Sequence, residues 1–279
     1  MSALRTVWQG TANAWECDEM GHMNVRYYAA KAEDALASLL ADLGGGELAV
    51  LAQHIRYLRE TRAGTPLLIR GGRLAAGDQA YFEFVSPFDG VVRATLITTV
   101  GGTLPPGPCV ELPAHGAPRG LPVAAPRGSV SLDEADAAGL REIFRGVVRR
   151  EHLDETGALR PHQVVAMISD GVTHLMMHIT PERGLGPLTG GIGGAALEQR
   201  IVYRAPARLG DQLTLRSGVM EAGEKTMRFC HWLLNRHTGA AVATCEVVAV
   251  AFDLTTRRAV VLAAETRARI AGMVVGVGA

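Results

Sequence analysis

Two stretches of the chain carry the same apolar rhythm. In the first, Val25, Tyr28, Ala29, Ala32, Ala35, Leu36, Leu39, Leu40 and Leu43 recur at the spacing of one helical face. Asn24 stands where an N-cap belongs, and Gly44 where a helix stops. The stripe is broad and rich in alanine, which predicts a helix closely wrapped by other elements. Its counterpart begins at Pro161, because a first helical position has no intrahelical use for the N–H that proline lacks. After each helix the pattern changes to short β-type runs, at 53–60, 66–74, 80–86 and 91–100, and again at 199–205, 212–220, 226–235 and 240–252. One long helix followed by consecutive strands, twice over, predicts an α+β protein with antiparallel sheets.

The two stretches also match residue by residue. Ile55, Tyr57, Gly64 and Gly77 return 146 positions later as Ile201, Tyr203, Gly210 and Gly223. Upstream, CDEMGHMN (17–24) matches LDETGALR (153–160) at a shift of 136. The ten extra residues of the second copy fall between helix and strand, in the glycine-rich run GLGPLTGGIGG. Between the copies, residues 101–128 hold seven of the 13 prolines and six glycines, a composition that sustains neither helix nor central strand. This predicts a first domain over 1–100, a surface linker over 101–128 and a second domain over 129–279.

Composition narrows the function classes. Of 279 residues, 48% are hydrophobic and 20% charged, which suits a packed chain and not a disordered one. Lys+Arg and Asp+Glu are both 28, so no global field recruits nucleic acid or an anionic membrane. An anionic ligand would be held by local arginines, among which Arg56, Arg59, Arg62, Arg70 and Arg73 are candidates unless they only solvate strand edges. The most apolar run, 240–252, is too short to span a bilayer and is broken by Glu246. The first twenty residues lack the apolar core and cleavage site of a secretory signal, and Cys17, Cys109, Cys230 and Cys245 form no CxxC pair. The expected compartment is the reducing cytoplasm.

Chemistry concentrates just before the first helix. Free N–H groups of a first helical turn favour negative charge beyond them, so a carboxylate there can act on a carbonyl whose oxygen the helix end holds. Asp18, Gly21, His22 and Asn24 occupy that place. Asp18 could instead brace a turn, His22 could hydrogen-bond backbone, and Asn24 is foremost a cap. Asp170, His174 and His178 recur every four residues on the second helix. Eight helical residues rise about 12 Å, so the three cannot grip one ion, and no metal site is expected. Gly190, Gly191, Gly193 and Gly194 lack the GK[ST] or GxGxxG context of a phosphate loop and are expected in a connection.

The run ECDEMGHMNVRYY (16–28), with Ile-x-Tyr followed seven positions later by Gly in both copies, resembles the 4-hydroxybenzoyl-CoA thioesterase family of hotdog proteins. The resemblance implies two tandem hotdog domains, each a long central helix wrapped by an antiparallel sheet, pairing within one chain. It implies hydrolysis of an acyl-CoA or acyl carrier protein thioester, with no cofactor, and leaves room for self-association of the internal pair. Asp18 matches the family's carboxylate, as nucleophile or as base for water. The Val25 amide matches the N–H that polarises the thioester carbonyl, His22 completes the catalytic set, and Gly21, Asn24 and Tyr28 are substrate contacts. Glu33 matches the position that offers a carboxylate to the partner's site. Its counterpart is Ser169, so Asp170 and His174 stand in as expected substrate contacts. Because Val25 is matched by Pro161, which has no N–H, only the first copy is expected to work. Rival readings are an acyl-CoA hydratase or dehydratase, whose pattern needs an Asn-Pro absent here, and a non-catalytic acyl-thioester binding module.

Overall fold

The computed structural model describes residues 4–18, 20–121, 129–181 and 191–277. The chain divides into two compact units, Met1–Arg119 and Gly120–Ala279.

The first unit is built from β1 (Arg5–Thr11), α1 (Val25–Asp42), β2 (Val50–Tyr57), β3 (Pro66–Arg73), β4 (Gln79–Val85) and β5 (Val92–Val100). The strands form an antiparallel sheet in the order β1-β3-β4-β5-β2. Tyr28, Ala32, Ala35, Leu36, Leu39 and Leu40 of α1 are buried in one cluster with Ile55, Leu67, Ile69, Phe82, Phe84 and Leu96 of the strands. Each such large side chain contributes about 1.5–3 kcal/mol through burial, so this face, more than helix propensity, holds α1 in place.

The second unit contains α2 (Leu132–Ala137), β6 (Arg141–Val147), α3 (Pro161–Ile179), β7 (Ile192–Tyr203), β8 (Gln212–Ala222), β9 (Thr226–Asn235), β10 (Ala241–Asp253) and α4 (Ala264–Ala271). Its antiparallel order is β7-β10-β9-β8-β6. Each unit is thus a hotdog, and the chain is a tandem α+β pair. The copies agree in small features too. β1 slips register between Thr6 and Trp8, and β6 between Glu142 and Phe144, positions 136 apart. Such a bulge interrupts the two-residue alternation, which is why neither short strand is legible in the pattern of apolar positions.

Two expectations need correcting. Gly193 and Gly194 lie inside β7 rather than in a connection, while Gly190 is outside the described residues. The Pro/Gly-rich segment, expected as a surface linker, also packs in part against the first unit. Leu104 is buried in the first core and its N–H donates to Gly77 O at 2.7 Å. The Val110 N–H donates to Arg73 O at 2.9 Å, and Arg56 Nη1 reaches the carbonyls of His115 and Ala117 at 2.7 and 2.9 Å. His115 Nε2 lies 2.7 Å from the buried Glu83. Residues 104–117 are a strap on the first unit.

Candidate active site

Residues 17–18 and 20–23 belong to a turn in front of α1 that is closed by hydrogen bonds between its ends. Cys17 and Met23 pair as an antiparallel bridge, the Asn24 N–H donates to Glu16 O at 2.9 Å, and the Asp18 N–H to His22 O at 2.8 Å. Asp18 Oδ1 accepts the N–H groups of Met20 (2.9 Å) and His22 (3.1 Å). Gly21 turns the chain with a φ of 74°, in the left-handed region where a side chain is strained. Asn24 caps α1 by accepting the Arg26 N–H at 3.0 Å. The Val25 N–H, first in the helix, has no partner among the described residues. An exposed carboxylate and a helix-end donor with no partner among the described residues therefore stand on either side of the same turn. Burial pushes the Cys17 thiol pKa up, and Asp18 and Glu16 add to the effect.

The second unit repeats the backbone bonds that close this loop. Leu153 bridges Leu159, the Arg160 N–H donates to His152 O at 2.9 Å, and the Asp154 N–H to Ala158 O at 2.8 Å. Gly157 has a φ of 76°. The alignment at 136 therefore contains no slip, and α3 starts on Pro161 where α1 starts on Val25. Asp154 is more heavily bound than Asp18, since its Oδ1 also accepts the Thr156 hydroxyl at 2.7 Å. Burial acts to raise the Asp154 pKa, but the Thr156 hydroxyl and the N–H groups of Ala158 and Thr156 outweigh it and hold the carboxyl low.

The model of the thioesterase-like superfamily matches residues 12–103 and 148–270, one region in each unit. The chain belongs to that superfamily. Among proteins with curated functions, none matches it in sequence. Two solved structures align with nearly the whole thioesterase-like chain. The acyl-ACP thioesterase of Bacteroides thetaiotaomicron has a TM-score of 0.59 and 13% identity, covering 87% of this chain and 96% of that one. The 12:0-ACP thioesterase of Umbellularia californica has a TM-score of 0.60 and 11% identity, with coverages of 87% and 92%. At such identities the likeness concerns the fold.

The remaining site residues of this thioesterase-like chain fall into three groups. His22 is held beside the loop, its Nε2 3.2 Å from Glu60 Oε2. Tyr28, expected to touch substrate, lies in the core instead. It is 3% exposed, its hydroxyl donates to Thr61 Oγ1 at 2.8 Å, and its ring meets Tyr57 and Phe84 edge-on. Burial pushes its phenol up to about 12. The neighbouring Tyr27 is partly buried against the edge of that core, beneath the Arg26 guanidinium. Asp170 and His174, with His178, are exposed on α3. No helix among the described residues is long and apolar enough to cross a membrane.

The sequence reading missed a buried ion pair at the base of the first loop. Lys31 Nζ donates to Glu16 Oε1 at 2.7 Å, Glu16 Oε2 accepts the Asn13 N–H at 2.8 Å, and the ammonium lies 5.0 Å from the Trp8 ring centre. A signal existed: Lys31 sits three residues after Tyr28 and four before Ala35, on the apolar stripe itself. The arginines also divide. Arg56 and Arg73 hold the strap, Arg70 is exposed, and Arg59 and Arg62 join Glu60, Thr65 and Arg93 around a pocket of about 300 Å³.

Proposed function

We propose that the chain hydrolyses acyl thioesters of coenzyme A or acyl carrier protein, and that only the loop of the first unit works. One observation carries this reading: two loops that share their backbone hydrogen bonds and their aspartate end on Val25, which offers an N–H, and on Pro161, which cannot. In the first, the thioester oxygen is polarised by the Val25 N–H and the helix end. Asp18 either attacks the carbonyl carbon itself or takes a proton from the water that does. The C–S bond then breaks and the electron pair leaves with sulfur, a leaving group that needs little help. After direct attack a water cleaves the acyl–Asp18 anhydride to the free acid; after water attack the acid forms in this step. In both cases the proton released by water goes to the thiolate. His22, fixed by Glu60, and Asn24, fixed as the cap, border the reacting group. The family membership and the whole-chain likeness to acyl-ACP thioesterases support the reaction type.

The test compares Asp18→Asn, Asp18→Ala and Asp154→Ala for thiol release from a panel of acyl-CoA and acyl carrier protein thioesters. Loss of the working carboxylate should lower kcat by about a hundredfold or more, and Asp154→Ala should stay within about twofold of the parent. Equal partial losses in both units would mean two working sites. Full activity in Asp18→Asn would remove that residue from the mechanism.

A further inference from the structure

The pocket beside the first loop has a built-in control, because the second unit carries the same backbone. The segment around residues 60–63 runs along the loop: His22 bridges Arg62, the Met23 N–H donates to Thr61 O at 2.8 Å, and the Ala63 N–H to Gly21 O at 3.2 Å. Arg59, Glu60, Arg62 and Thr65 correspond, at the shift of 146, to Ala205, Pro206, Arg208 and Asp211. The fifth lining residue is matched by bonding. The N–H groups of Leu58 and Arg59 both donate to Arg93 O, and those of Arg204 and Ala205 both donate to Val242 O. The same fold is therefore made in the second unit with Ala, Pro, Asp and Val at four of these places, so it does not require the arginines.

The one shared arginine behaves differently in the two settings. Arg208 Nη1 donates to Thr156 O at 2.8 Å and so braces the second loop. Arg62 makes no such bond among the described residues, and neither does the side chain of Arg59. Arg93 is paired with Asp89, yet its buried Nε has no partner among the described residues. Glu60 is turned to His22. Among the described residues, two exposed guanidinium groups with no carboxylate partner and a third with an unused N–H thus line one open pocket. A hydroxyl, Thr65, joins them. Guanidinium forks suit planar or tetrahedral oxyanions, to which they donate paired hydrogen bonds.

We infer that this pocket is an oxyanion subsite of the first unit, taking a phosphate or carboxylate group carried by the substrate; the inference rests on the thioesterase reading. The oxyanion has two sources, the phosphates of the thiol carrier or a carboxylate on the acyl group. Both give the first unit, and not the second, a means of drawing the thioester to the loop that has the Val25 N–H.

The test gives the first unit the residues of the second, as Arg59→Ala/Arg93→Val. Because Arg93 is tied to Asp89, Arg62→Ala at an exposed side chain runs in parallel. Three thioesters are compared: a neutral acyl-CoA, the same acyl group on N-acetylcysteamine, and a dicarboxylic half-thioester of N-acetylcysteamine. The ratio of kcat/KM for one anionic substrate over the neutral ester should fall about tenfold or more in both variants, through KM. A fall for acyl-CoA assigns the pocket to carrier phosphate, and a fall for the half-thioester to an acyl carboxylate. A second readout needs no turnover: inorganic pyrophosphate or glutarate should raise the thermal midpoint of the parent protein and of neither variant. Unchanged ratios, or a midpoint shift that survives in the variants, overturn the subsite. If the parent hydrolyses no thioester but shows the arginine-dependent shift, the subsite stands and the thioesterase reading falls.

Discussion

Lys31→Met places in the first unit the residue that the second carries at the matching position, Met167. In the parent protein the side chains of Lys31 and Glu16 are 8% and 10% exposed, and the two charges meet at 2.7 Å. Removing the ammonium leaves the Glu16 carboxylate buried with the Asn13 N–H as its remaining donor. Loss of one partner of a buried pair costs about 3–5 kcal/mol, because the other charge stays desolvated. The lost contact with the Trp8 ring adds to this. For a unit of this size the thermal midpoint should drop by roughly 10 °C or more. Glu16→His/Lys31→Met should behave otherwise. In the second unit His152 Nδ1 accepts the Arg149 N–H at 3.1 Å, and Met167 is buried at 4% exposure. A well-packed replacement of a whole buried pair is commonly neutral or stabilising, so the double variant should return to within about 1–2 kcal/mol of the parent. Urea denaturation of the parent, the single and the double variant, followed by Trp fluorescence, reads both values. A single variant that loses under about 1 kcal/mol would show the pair to be solvated. A double variant as weak as the single would show that the first unit cannot pack as the second does.

Two further outcomes follow from buried polar groups. Tyr28→Phe removes the bond to Thr61 and should lower stability by about 1–2 kcal/mol with KM close to the parent's; a large KM change would return Tyr28 to the substrate site. His231, hydrogen-bonded to Ser217 at 2.7 Å, is held by burial at about 4, below its ordinary 6.5. The unfolded chain takes up that proton first, so this contribution is complete above about pH 6.5 and is lost as pH falls towards 4, by about 3 kcal/mol at most. Denaturation midpoints from pH 7 to 4.5 should therefore fall more steeply in the parent than in Ser217→Ala/His231→Phe, and parallel curves would refute the assignment.

The duplication was legible because both loops run into their helices at one fixed shift, and the turn and cap residues are local signals. Gly21 and Gly157, Asn24 and Pro161 each declare their backbone position without reference to distant chain. What stayed hidden depends on contacts between distant segments. Helical spacing puts two neighbouring tyrosines about 100° apart, but which of them faces the core is settled by Tyr57, Thr61 and Phe84. Lys31 counts as polar in any pattern, and its burial becomes intelligible only with Glu16 and Trp8 beside it. The arginines of 56–73 look alike in sequence; strap carbonyls occupy two of them and leave Arg59 and Arg62 to the pocket.

The strap changes where this chain can be divided for separate study. A cut at residue 100, where the proline-rich run begins, would pull Leu104 out of the first core and strip the Arg56 guanidinium of both carbonyl acceptors. It would also uncover Tyr81, against whose ring and hydroxyl the backbone at Gly116 sits too closely for any side chain. A fragment ending after Arg119 keeps all of these contacts and is the rational unit for expression, spectroscopy or domain exchange.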